Sequence, residues 1–139
     1  MPFAIDPSFA AAWFLPDEKN PSADALLERL EGDLSENAVV PTLFRHELLN
    51  LLWTAHRRGR IAEDAAFELA RRAERYPFRE SPPSPAQAIL RLARVHRLTT
   101  YDATYLALAL DSRLELASND KDLVAAARKE GVNTITALT

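Results

Sequence analysis

The chain has 139 residues, 47% of them hydrophobic and 27% charged, with a net charge of −3 and no cysteine. That length suits one folding unit with a real core, read here as a single domain over residues 1–139. The missing cysteine excludes disulfides, zinc–thiolate sites and a cysteine nucleophile. The apolar N-terminus lacks a basic leader and is interrupted by Asp6, and no apolar run approaches a membrane span. The expectation is a cytoplasmic protein with no membrane partner.

In chain order, Phe3-Ala4-Ile5 predicts a short buried strand, after which Asp6 stands as a helix N-cap with Pro7 at the first helical position. The helix carries Phe9, Trp13 and Phe14 and ends at Leu15-Pro16. Asp17 to Pro21 predicts a loop, and Ser22 to Leu30 a second helix stopped by Gly32. Ala38-Val39-Val40 predicts the second strand. A long helix follows from Leu43 to Arg58, closed by Gly59, and another from Ile61 to Arg75. With only Gly59-Arg60 between them, the two form an antiparallel helical hairpin.

Tyr76 to Glu80 predicts a short strand. Pro82, Pro83 and Pro85 break the chain before a helix from Ala86 to His96. Leu98-Thr99-Thr100 caps a helix from Tyr101 to Leu110, and Leu114 to Ala117 predicts a strand. Ser118-Asn119-Asp120 leads into a last helix through Lys129, ended by Gly131, with a final strand from Asn133 to Thr136. Short strands alternating with helices predict an α/β fold, a parallel sheet covered on both faces with the hairpin protruding. The ligand crevice of such a fold lies at the carboxyl ends of the strands.

Four carboxylates fall at that end. Asp6 and Asp120 follow strands directly, Glu47 lies a turn into the helix after the second strand, and Asp102 opens its own helix. Asp6 and Asp120 also make good N-caps, and Asp102 suits the helix dipole. Glu47 is different, because Leu43, Leu48, Leu51 and Trp53 surround it on the helix. A half-buried carboxylate there needs a basic partner, a proton or a metal ion.

Other chemistries fall away. Gly32, Gly59 and Gly131 build neither a P-loop nor a dinucleotide fingerprint. His46-Glu47-Leu48-Leu49-Asn50 lacks the second histidine of a zinc-protease helix, and His46 and His56 lie on different helix faces. Hard oxygen donors without His or Cys suit Mg²⁺ or Mn²⁺. Residues 45–97 hold 11 of the 17 Lys and Arg and only 6 of the 20 acidic residues, so this segment is basic and the remainder acidic. Either the arginines line two solvated helices, or Arg57, Arg58, Arg60, Arg71, Arg72 and Arg75 on the hairpin meet RNA or a partner protein.

Ile5-Asp6-Pro7-Ser8, Trp13-Phe14-Leu15-Pro16, Pro41 through Glu47 to Asn50, Leu98 through Tyr101-Asp102-Ala103, and Ala117-Ser118-Asn119-Asp120-Lys121-Asp122-Leu123 together resemble the PIN domain. More narrowly, they resemble the VapC-type toxins of type II toxin–antitoxin pairs. The resemblance implies a Mg²⁺- or Mn²⁺-dependent endoribonuclease with metal ligands at Asp6, Glu47, Asp102 and Asp120. It places the family's small hydroxyl residue at Ser118, among the catalytic positions, and a second at Ser8. It also implies an RNA substrate such as transfer or ribosomal RNA, inhibition of translation, a VapB-like antitoxin and a homodimer.

The alternative is a catalytically inactive PIN-fold module that binds RNA or protein. A Mg²⁺ phosphatase or a phospho-acceptor receiver domain would need paired acids after the first strand, where Asp6 is followed by Pro7-Ser8. The apolar residues Phe9, Trp13, Phe14 and Leu15 and the Tyr105-Leu106 side of a later helix exceed what a small sheet is expected to cover. That excess is a second reason to expect a homodimer.

Overall fold

The computed structural model describes residues 1–33 and 35–139. In order these form β1 (Phe3–Ile5), α1 (Pro7–Phe14), a 3-10 turn (Pro16–Glu18), α2 (Pro21–Gly32), β2 (Ala38–Val40), α3 (Leu43–Arg57) and α4 (Glu63–Ala73). There follow β3 (Phe78–Glu80), α5 (Ala86–His96), α6 (Thr100–Ser112), β4 (Leu116–Ala117), α7 (Lys121–Lys129) and β5 (Thr134–Ile135). The strands make one parallel sheet in the order β3-β2-β1-β4-β5. The α/β expectation holds, and the chain winds outward from β1 in one direction before crossing back to β4.

Local chemistry explains the element starts. Asp6 caps α1 by accepting from Phe9 N at 3.1 Å, with Pro7 in the first turn. Asn20 and Pro21 repeat the device, Asn20 accepting from Ala23 N at 2.9 Å, so α2 begins at Pro21 and the expected loop is a 3-10 turn followed by this cap. Thr99 caps α6 by accepting from Asp102 N at 3.1 Å. Gly59 ends α3 with φ +77°, where a left-handed backbone favours glycine. The ends of α5 and α6 reach the same region without glycine, at Arg97 and Arg113.

The expected apolar surplus is not there. Phe9, Trp13, Phe14, Leu15, Tyr105 and Leu106 are all buried, none more than 7% exposed. Their cover comes from within the chain. α2 and α3 pack on α1, and Trp13 Nε1 donates to Ala23 O at 2.9 Å. Tyr76 and Phe78 close over the same region, with ring centroids 4.8 Å (Phe14–Tyr76) and 6.3 Å (Trp13–Phe78) apart. α5, α7, β1 and β4 enclose α6. The exposed large apolar side chains lie elsewhere, at Leu49, Trp53 and Phe67 on the hairpin, Leu90, Val95 and Tyr101 on α5 and α6, and Met1 and Leu138 near the chain ends.

The hairpin is tied down at its turn. Arg60 forks onto Asp17 at 2.9 and 2.7 Å and reaches Glu18 at 2.7 Å. Arg71 pairs with Glu68 and Arg45 with Glu74. Among the described residues Arg57, Arg58, Arg72 and Arg75 make no ion pair and are exposed. Among the same residues, no helix is long and apolar enough to cross a membrane.

The two faces of α3 give a direct check. Leu52 is 2% exposed and Leu49 is 38% exposed, three residues apart on one helix. Leu52→Ala should cost about 2–5 kcal/mol in urea denaturation, and Leu49→Ala no more than about 0.5 kcal/mol.

Candidate active site

β1 and β4 pair with Ile5 opposite Ala117, and Asp6 N continues the ladder to Ala117 O at 3.1 Å. Both strands end there and turn into helices, so Asp6 and Ser118 emerge side by side at the point where the strand order reverses. Such a switch point is the natural crevice of a parallel sheet.

A hydroxyl cradle holds Asp6. Its Oδ1 accepts from Ser8 Oγ at 2.7 Å as well as from Phe9 N, and its Oδ2 accepts from Ser118 Oγ at 2.7 Å. Each serine is fixed in turn by the chain entering α7. Ser8 Oγ accepts from Asn119 N at 2.9 Å, and Ser118 Oγ accepts from Asp120 N at 3.0 Å. Ser118 is fully buried, so it touches the site through Asp6 and the Asp120 backbone. Asp120 caps α7, Oδ1 accepting from Leu123 N at 2.9 Å. The capping roles of Asp6 and Asp120 are therefore real and coexist with their shared location.

Glu47 and Asp102 close the other side. Glu47 is half-buried on α3, and its Oε1 accepts from the Tyr105 hydroxyl at 2.6 Å. Asp102 stands one turn before Tyr105 on α6 and is also half-buried.

Burial dominates the protonation of these groups, and the charges of their neighbours add to it. Burial raises Asp6 to about 6, against the pull of its Ser8, Ser118 and Phe9 donors, and the Asp120 charge adds to the rise. Burial also raises Asp102, helped by Asp120 and then Glu47. Burial and the Glu47 carboxylate push Tyr105 far above the usual phenol range, so it remains a donor. Among the described residues none of the four carboxylates has a basic partner.

Oxygen donors with unneutralised negative charge fit a hard divalent cation. Among the described residues, however, no three His, Cys, Asp or Glu side chains come close enough to cage one. A hard cation here would therefore take few protein oxygens directly and fill the rest of its shell with water or a ligand. Two of the three histidines are engaged elsewhere, His56 Nδ1 with Ile61 O at 3.1 Å and His96 Nε2 with Glu130 at 2.7 Å.

Tyr105 is the site residue that the sequence pattern hides. It looked like one more apolar position of α6, and its spacing of three from Asp102 was the available signal.

Fold and site together describe an α/β protein of the PIN type, with an acidic crevice at the switch point of a short parallel sheet. The family model for the PIN domain matches residues 3–129, and the chain belongs to that family. Ribonuclease VapC3 of Pyrobaculum aerophilum is 28% identical over 126 residues, covering 88% of this chain and 92% of that one. The crystal structure of PAE2754 from Pyrobaculum aerophilum matches with a TM-score of 0.73 at 24% identity, over 97% of this chain and 90% of that one. VapC20 of Mycobacterium tuberculosis, a sarcin–ricin loop cleaving toxin, matches with a TM-score of 0.57 at 19% identity, over 89% of this chain and 94% of that one. These two structures bear out the fold.

Asp6 gives a pH test. Its carboxyl sits at about 6 in the fold against an ordinary 3.8, so the folded chain holds its proton more tightly. The stability that Asp6 contributes is full below pH 3.8 and is lost as pH rises through 6, a change on the order of 2–3 kcal/mol. In EDTA, Asp6→Asn should flatten that fall between pH 4 and 6.5 in denaturant melts, because the amide still accepts from Phe9 N but does not ionise.

Proposed function

We propose that this chain is a Mg²⁺- or Mn²⁺-dependent endoribonuclease, the toxin of a type II toxin–antitoxin pair that acts by inhibiting translation. The observation that carries this reading is the gathering of Asp6, Glu47, Asp102 and Asp120 about one crevice without a basic partner among the described residues. Membership of the PIN-domain family and the likeness to Ribonuclease VapC3 support it. On this reading residues 1–139 act as one cytoplasmic domain.

Asp6, Glu47, Asp102 and Asp120 would hold the ion between them, one or two directly and the others through its waters. The ion, when bound, supplies charge neutralisation at the phosphoryl oxygens and acidifies a water. The chain's own contribution is placement. Ser8 and Ser118 clamp both oxygens of Asp6, and the Leu123 amide ties one oxygen of Asp120, leaving the other open to a ligand. Attack by water with departure of the 3′-oxygen would leave a 5′-phosphate and a 3′-hydroxyl and give the RNA 2′-hydroxyl no part.

Arg57, Arg58, Arg72 and Arg75 are the hairpin arginines available to an RNA backbone or a VapB-like antitoxin. Arg60 and Arg71 are already paired within the chain. The substrate class is a folded RNA, transfer or ribosomal. A homodimer fits the reading through its exposed apolar side chains, not through the buried ones that first pointed to it. The alternative, an inactive RNA- or protein-binding module, has no reason to keep all four carboxylates together.

Asp120→Asn separates site from cap, since asparagine caps a helix about as well as aspartate. Wild type should cut structured RNA with Mg²⁺ or Mn²⁺ and stop in EDTA. The variant should melt in EDTA like wild type or be more stable by roughly 0.5–2 kcal/mol, because one of several repelling charges is gone. Its Mg²⁺-induced rise in melting temperature should shrink, and cleavage should fall by orders of magnitude. Wild-type activity that survives EDTA, or a variant that still cleaves at the wild-type rate, overturns the proposal.

A further inference from the structure

We infer that Tyr105 is a positioning residue for Glu47, its hydroxyl 2.6 Å from Oε1 turning the carboxylate so that Oε2 is left for a cation. The inference rests on the divalent-cation reading of the site given above.

Glu47 needs such a hold. Its side chain has three free torsions, and Asp102 nearby carries the same charge, so a loose carboxylate would swing out to water. No lysine or arginine among the described residues restrains it. Tyr105 can, because its ring is 1% exposed and locked in the core beneath the site. The hydroxyl is thus the fixed end of a rigid arm. Tyr105 follows Asp102 by one turn of α6, so a single helix face delivers both a carboxylate to the crevice and the clamp for the carboxylate opposite.

The chemistry of the clamp matters as well. An ammonium or guanidinium in this place would hold Glu47 equally well but would cancel the charge that attracts a cation. A phenol donates a short, charge-assisted hydrogen bond and leaves the full negative charge in the site. A buried tyrosine hydroxyl needs an acceptor, and any backbone carbonyl would satisfy it. Here the acceptor is a half-exposed carboxylate at the crevice. Glu47 Oε2 takes no hydrogen bond from the described residues and is not an enclosed, unpartnered atom, so it is open to a ligand.

The test is Mn²⁺ binding to the EDTA-stripped full chain, read by electron paramagnetic resonance without RNA. Removing an outer partner of a metal ligand commonly weakens binding about 10- to 100-fold, and that loss is expected for Tyr105→Phe, with a melting temperature in EDTA near that of wild type. Glu47→Gln should weaken binding by itself, and adding Tyr105→Phe to it should cause no further loss, since the two act as one unit. Should Tyr105→Phe not fold, Glu47→Asp keeps the charge but withdraws it from the hydroxyl, and the same weakening is expected. Wild-type Mn²⁺ affinity in Tyr105→Phe, or in Glu47→Asp where that variant stands in, overturns the inference alone. So does a Tyr105→Phe loss that adds in full to that of Glu47→Gln. Absence of Mn²⁺ binding by wild type overturns the cation reading and this inference with it.

Discussion

Ile5 faces Ala117 in the middle of the sheet, and because β1 and β4 are parallel both leave it at the same end. Everything at the crevice depends on that pairing. A slip of one residue would move Asp6 off Ser118 and turn alternate side chains to the opposite face. In the observed register each serine receives a backbone hydrogen bond from the start of α7 and donates its own proton to Asp6. The β1–α1 and β4–α7 junctions are thereby cross-linked through two hydroxyls and one carboxylate. That network of satisfied groups lets a buried aspartate stand where burial alone would make it costly.

The contrast between the two ends of the sheet is electrostatic. Beyond the amino ends of the strands, Glu36 and Glu115 are both neutralised by Arg29, at 3.1 and 3.3 Å. At the carboxyl ends stand Asp6, Glu47, Asp102 and Asp120, none of them paired with a base among the described residues. Burial, with neighbouring negative charge added to it, raises Asp6 and Asp102 and costs stability, a pattern that marks functional sites more often than structural ones.

Most of the fold was legible because its signals are local. Asp6-Pro7 starts a helix, Gly59 and Gly131 stop two, and short apolar runs between helices mark buried parallel strands. Where the reading slipped, the cause was tertiary or unusual. α6 runs to Ser112, two residues past the expected Leu110, and ends on the left-handed Arg113, which carries no stop signal. The aromatic residues of α1 looked surplus because Tyr76 and Phe78, more than sixty residues away, were not foreseen as their cover. The four acidic positions could be picked out from their places after strands and at helix starts. The partner of Glu47 could not, since Tyr105 reads as an apolar residue until its hydroxyl is seen against that carboxylate, and Arg60 reads as a free charge until Asp17 and Glu18 lie beside it.

The Asp6–Ser118 bond spans 112 residues of sequence, and that separation has a consequence for the order of events during synthesis. A chain growing at about 5–20 residues per second takes on the order of ten seconds to add the second partner after the first. Until β4 arrives, the edge of β1 is open and Asp6 lacks one of its two serine donors, while Asp120 does not yet exist. The hairpin with its arginines, by contrast, is built from contiguous chain and can form early. A nascent chain therefore acquires its basic surface before its acidic crevice, and any fragment ending short of β4 carries the former without the latter.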